Sequence, residues 1–263
     1  MSQADVIDYK IGGEDIQYVE VELDPGESVV SEAGAMMYKS PSVTMDAVFG
    51  DGSKQNSGVW GALAGAGKRL LTGESLFMTV FTHQGQGKAH AAFAAPFPGT
   101  IIPVHLPDLG GELICQKDSF LAAAKGVSIG IALQKRIMTG LFGGEGFIMQ
   151  RLQGTGWCFV HAGGTLIKKD LAPGEEIHID TGCVVAYTPD VEFEIERAGN
   201  IKSMIFGGEG VFFARLRGPG QVWIQSMPFS RLAGRILANV PVAGSGQGEG
   251  SVLGPLGSIM RGN

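Results

Sequence analysis

The chain has 263 residues, 44 % hydrophobic and 17 % charged, enough to bury a full core and too apolar for global disorder. A net charge of −6, with a pI near 5.4, argues against a general nucleic-acid binder, whose affinity comes from neutralising phosphates. Glycine, at 42 residues, is about twice its average share and has no three-residue collagen period, so it points to many tight turns between short strands.

The leading stretch MSQADVIDYKIGGEDIQ has neither a basic nor an apolar signal segment, and no apolar run reaches the roughly 18–20 residues of a membrane-spanning helix. The expectation is a cytoplasmic protein. Further along come two motifs, each present three times. The first reads PGESVVSEAGAMMY from Pro25, GGELICQKDSFLAA from Gly110 and PGEEIHIDTGCVVAY from Pro173. The step from the glycine of Gly-Glu to a later small residue is 8 in each copy: Gly26 to Gly34, Gly111 to Ser119, Gly174 to Gly182. The second reads TGESLFMTVFTHQGQG from Thr72, GGEGFIMQRLQGTG from Gly143 and GGEGVFFARLRGPG from Gly207. A strand that closes on Gly-x-Gly before another β-prone run predicts a hairpin.

These motifs predict an all-β protein: one domain over residues 1–242, with pseudo-threefold units at about 16–96, 97–162 and 163–228. The first unit carries an insertion at 50–71. Within units the runs alternate, as in Val191-Glu192-Phe193-Glu194-Ile195-Glu196. Three stretches carry helix patterns: VWGALAGAGKRLL, SFLAAAKG, and SRLAGRILANV, whose Ser230 reads as an N-cap for a helix over about 230–240. Residues 243–263 form a Gly-rich tail, expected to be flexible.

Reactive chemistry is hard to place on this pattern. In GALAGAGKR the phosphate-loop spacing puts Ala62 where glycine is required, and Arg69 replaces the magnesium-binding hydroxyl. The five histidines contain no His-x-His pair. Cys115, Cys158 and Cys183 are too far apart for a zinc knuckle and odd in number, so they read as buried thiols. No catalytic residue, metal ligand or cofactor is expected. Glu27, Glu112 and Glu175, and likewise Glu74, Glu145 and Glu209, recur at matching positions. They read as acceptors of turn N–H groups, with a threefold cation or ligand site as the alternative. Leu70-Leu71, Leu141-Phe142 and Ile205-Phe206 each precede a strand-opening Gly-Glu. Together with Trp60 in the insertion they make the candidate interaction surface, flanked by Lys68, Arg69, Lys135, Arg136 and Lys202.

The Gly-Glu motifs, from PGESVVSEAGAMMY to GGEGVFFARLRGPG, resemble the altered-inheritance-of-mitochondria protein family over nearly the whole chain. The resemblance implies a fold similar to the tryptophan RNA-binding attenuation protein, a double-stranded β-helix or β-sandwich, and oligomerisation. It implies no activity. The functional expectation is a non-enzymatic, homo-oligomeric binding or scaffold protein, with a protein or membrane surface as further partner. The alternatives are a membrane-surface maintenance factor, or a small-molecule binder with a pocket between repeats.

Overall fold

The computed structural model describes residues 3–32, 34–49, 77–135, 146–197 and 212–239. Here the alternating runs become strands. Tyr18–Leu23 shows the reason: Val19, Val21 and Leu23 are fully buried, while the residues between them are half-exposed. A leading strand β1 (Asp8–Gly12) is followed by three groups of six. The first is β2 (Tyr18–Leu23), β3 (Ser28–Glu32), β4 (Met36–Lys39), β5 (Val43–Phe49), β6 (Phe77–His83) and β7 (Ala89–Ala94). The second is β8 (Gly99–His105), β9 (Glu112–Gln116), β10 (Phe120–Ala124), β11 (Ser128–Lys135), β12 (Phe147–Gln153) and β13 (Trp157–Gly163). The third is β14 (Leu166–Leu171), β15 (Glu176–Asp180), β16 (Val184–Tyr187), β17 (Glu192–Arg197), β18 (Phe212–Arg217) and β19 (Gly220–Gln225). Among the described residues one α-helix, α1 (Phe229–Ala238), follows. The fold is all-β, in antiparallel sheets.

Pairing inside a group is the same each time. The sixth strand lies between the first and third, and the fifth between the second and fourth. Each group therefore contributes two three-stranded layers. Aromatic rings pack between them: Phe81 of β6 meets Phe93 of β7 edge-on at 5.0 Å, and Phe193 of β17 stacks on Tyr187 of β16 at 5.2 Å. Neighbouring groups join edge to edge. The second strand of one group pairs with the third of the next: β3 with β10 and β9 with β16. Two continuous six-stranded sheets result, β5-β6-β3-β10-β13-β8 and β11-β12-β9-β16-β19-β14. Four strands (β1-β2-β7-β4) remain at one end and three (β15-β18-β17) at the other. Tyr9 of β1 straps the first group to the second, its ring edge-on to Trp157 and Phe159 at 5.0 Å each.

The recurring Pro-Gly-Glu stretches turn the chain from one layer to the other. In both, glycine at the third turn position takes a positive φ, +92° at Gly26 and +80° at Gly174, following the proline that presets the second. The glutamate then caps the turn. Glu27 Oε2 accepts from the Asp24 N–H and Glu175 Oε2 from the Ala172 N–H, each at 2.9 Å. Glu112 departs from this expectation. Its chain arrives through a 3-10 turn at Leu106–Leu109, and pairing sets Glu112 opposite Gln153, where the third group has Glu176 opposite Arg217. Displaced by one residue, Glu112 accepts from Gln153 Nε2 at 2.6 Å and pairs with Arg151 at 3.4 Å. Glu74, Glu145 and Glu209 lie outside the described residues.

Two helix expectations are corrected. SFLAAAKG contains strand β10, whose Ala122, Ala123 and Ala124 have no exposure because β3 and β13 flank them and both faces are covered. Burial on every side overrides alanine's helix preference. Helix α1 begins at Phe229, with Pro228 at the N-cap making no side-chain cap bond, so Ser230 sits inside the first turn. VWGALAGAGKRLL lies outside the described residues. The cysteines are free and buried, as expected of structural thiols.

Phe159 is fully buried at the junction of the first two groups. Phe159→Ala should cost about 3–5 kcal/mol in urea unfolding, the range for emptying a large aromatic site that cannot collapse.

Candidate functional site

The predicted interaction residues, Trp60, Leu70, Leu71, Leu141, Phe142, Ile205 and Phe206, lie outside the described residues. In the chain they fall between β5 and β6, between β11 and β12, and between β17 and β18, the same connection in each group. Two other features stand out within the described residues: a pair of open sheet edges, and a cavity where strands of all three groups come together.

Among the edge strands, β4 and β15 are a third and a second strand that lack the joint to another group. In the other groups the strands equivalent to β4 are β10 and β16, each covered by the preceding group. A bulge marks the match: Met36/Tyr38, Phe120/Ala122 and Val184/Ala186 all span the same irregularity against the sixth strand. Met37 therefore corresponds to Leu121 and Val185, and Tyr38 to Ala122 and Ala186. Leu121 is 2 % exposed and Val185, Ala122 and Ala186 are 0 %, whereas Met37 is 52 % and Tyr38 43 % exposed. The Tyr38 hydroxyl donates to Glu20, which pushes its pKa up to about 12. At the other end β15 has one neighbour, β18. Arg215 of β18 binds Glu176 at 3.1 Å, Glu196 at 2.9 Å and also Glu194, so one face of this three-stranded sheet is a charged lattice. That network raises the Arg215 pKa further. Phe193 and Ile195 of β17 turn the other way and pack on the core, as their alternation with glutamates predicts.

The cavity encloses about 490 Å³ beneath α1. Glu32 and Gln116 line it, each the last residue of its group's second strand. Asp180, the corresponding residue of the third group, instead holds the helix through Arg231 at 3.4 Å. Further polar lining comes from Asp118, Ser119 and Gln225. Gln225 is a clamp: its Oε1 accepts from the Gly163 N–H and its Nε2 donates to the Gly182 carbonyl, both at 2.8 Å. The apolar wall is Phe97, Pro228, Phe229, Ala233 and Leu237.

Glycine decides how the helix reaches this place. The Gly163 carbonyl accepts from Met227 N–H at 3.1 Å, and a Cβ on Gly163 would lie 2.1 Å from the Met227 oxygen. Phe97 bridges helix and core, 5.3 Å from the Phe229 ring and 4.7 Å edge-on from His161. His161 is 2 % exposed and its Nδ1 has no hydrogen-bond partner, so burial pushes its pKa down to about 4. His83 is structural in another way. Nε2 bonds the Gly87 carbonyl at 3.0 Å, and Nδ1 accepts from the Gly85 N–H at 3.3 Å, bracketing the first hairpin. Among the described residues no three His, Cys, Asp or Glu side chains group as metal ligands, and no helix is long and apolar enough to cross a membrane.

Residues 9–227 match the family described as mitochondrial biogenesis AIM24. The chain belongs to that family. An AIM24-type relative, the uncharacterised protein M6_Spy0233 of Streptococcus pyogenes serotype M6, is 31 % identical over 228 residues, 86 % of this chain and 87 % of the relative. The crystal structure of protein SPYM3_0169 from Streptococcus pyogenes is similar, with a TM-score of 0.70 at 25 % identity, over 89 % of this chain and 100 % of that one. The AIM24 match bears out the resemblance carried by the Gly-Glu motifs. Those motifs did not disclose the cavity. The available signal was a glutamine ending each of two otherwise apolar runs, Leu-Ile-Cys-Gln and Val-Trp-Ile-Gln.

Neutral burial of His161 has a pH signature. An unfolded-chain imidazole protonates near 6.5, the folded one near 4, so the folded state loses stability as pH falls through that window. The advantage of wild type over His161→Leu in urea unfolding should be constant above pH 7. It should shrink below pH 6.5 by up to about 1.4 kcal/mol per unit. A difference that stays flat down to pH 4 would show that the imidazole titrates normally.

Proposed function

We propose that this AIM24-family protein is a non-enzymatic scaffold that assembles with further copies of itself, joining β15 of one copy to β4 of the next. The three strand groups are then three copies of one unit, and the joint between molecules repeats the joint between units. The observation that carries this reading is the register. β3 pairs with β10 so that Ser31 faces Ala122, and β9 with β16 so that Cys115 faces Ala186. Both place the fourth residue of a second strand opposite the second bulge residue of a third strand. For the open edges both rules name the same partners: Ile179 opposite Tyr38. Joined so, β17-β18-β15 and β4-β7-β2 would reproduce the six-strand order of the two sheets within the chain, with β1 as a seventh strand beyond β2.

The exposure of Met37 and Tyr38 supports this, because their counterparts lie under a neighbouring strand. An open edge with exposed apolar residues is a template for pairing. The contact is head-to-tail, so copies close into a ring if the rotation between them allows it.

Light scattering at micromolar concentration should give a multiple of the 27.6 kDa chain. Met37→Lys, at a site already exposed, should give a folded monomer. With Tyr38→Cys and Ile179→Cys together, oxidation should produce intermolecular disulfide ladders on a non-reducing gel, since directly opposed strand residues fall within disulfide reach. A monomeric wild type would overturn the reading.

A further inference from the structure

We propose that the cavity beneath α1 binds an uncharged apolar molecule, one with an aromatic or aliphatic body and no ionised head. The inference stands apart from the assembly, because the cavity's described lining belongs to one copy of the chain. Size is the first argument. A volume of about 490 Å³ lies within the range of small-molecule sites, roughly 300–1,000 Å³.

The second argument is apolar surface that the fold leaves uncovered. Phe229, Ala233 and Leu237 follow one another at four-residue steps, so they share one face of α1, and all three line the cavity. A helix attached to a core ordinarily buries such a face. Here Phe229 and Leu237 stay 48 % and 70 % exposed. Phe97 and Pro228 extend the apolar surface. The Phe97 ring is held from two sides, by His161 edge-on at 4.7 Å and by Phe229 at 5.3 Å. A wall fixed in advance loses little freedom when a ligand settles on it.

The third argument is charge. Among the described residues no lining side chain is basic. The two lining carboxylates, Glu32 and Asp118, each already have an interaction partner within the protein. Gln225 commits both amide atoms to backbone groups. An anionic head would enter beside two acids with no lining cation to offset it. An ammonium would give up its water for carboxylates that are already engaged. An uncharged molecule loses no such hydration and gains the apolar contact.

Helix α1 offers two ways to alter the site while keeping the fold. Gly234 lines the cavity, and a Cβ added there meets nothing within 4 Å. A large side chain at 234 has room to stand in the mouth, and replacing a helix-interior glycine should not weaken the helix. At the exposed position 237, Leu237→Gln removes apolar surface and keeps a residue of similar helix preference.

The test is calorimetric titration of the full chain, near neutral pH, with three molecules of one body: 4-phenylbutan-1-ol, 4-phenylbutylamine and 4-phenylbutyrate. The alcohol should bind most tightly, and the amine and the carboxylate each at least about tenfold more weakly. Gly234→Phe should abolish binding of the alcohol while its thermal midpoint stays at or above that of wild type. Leu237→Gln should weaken the alcohol severalfold. The proposal fails if either ion binds as tightly as the alcohol, if no member of the series binds at millimolar concentration, or if Leu237→Gln or a folded Gly234→Phe binds like wild type. Binding that appears only when Leu253→Ser and Leu256→Ser are introduced together would assign the cavity to the chain's own C-terminal residues, and would equally overturn it.

Discussion

Backbone hydrogen bonding between the second strand of one group and the third strand of the next organises this molecule. A three-stranded layer has two open edges, and unpaired N–H and C=O groups along a buried edge would be costly. β3 with β10 and β9 with β16 remove that cost twice, and in doing so fuse six separate layers into two long sheets and two shorter end sheets. The core follows from this. Phe120, Leu121 and the run Ala122 to Ala124 are buried because a neighbour covers β10, and β16 is buried for the same reason. Where the pairing stops, at β4, the corresponding residues lie open. One rule thus accounts for both the dry interior and the exposed edge.

The same joints place the cavity. Each brings the ends of second strands close to the turns that follow, so Glu32, Gln116 and Asp180 arrive at one region from three distant parts of the chain. The helix segment closes over it by three contacts: Phe229 on Phe97, Arg231 on Asp180, Pro228 against Gly182. Only glycine at 163 lets the chain cross at that point. A polar floor and an apolar roof come from separate requirements, since strand ends carry turn-forming polar residues while the helix must bury one face.

Much of the fold was legible because its causes are local. Pro-Gly-Glu turns demand positive φ at one glycine and reward a carboxylate beside it, and Glu27 and Glu175 behave so. Phe193 and Ile195 alternate with glutamates and face the core. The failures are instructive. Ala122 to Ala124 read as helix because alanine's local preference says so, while burial between two strands decided otherwise. Glu112 shares a motif with Glu27 and Glu175 but not their role, since a 3-10 turn shortens its approach by one residue.

Taken alone, the sequence determined the all-β class, the family, the turn chemistry and the buried state of the thiols, because spacing, glycine conformation and alternation are properties of neighbours in the chain. Tertiary structure alone decided that β4 and β15 stay outside the joints between groups, that Gln116 is buried beside the cavity, and that strand ends from all three groups meet under a helix. Those facts depend on which strands lie side by side, and residues more than a hundred positions apart in the chain are brought together only by the pairing of edges.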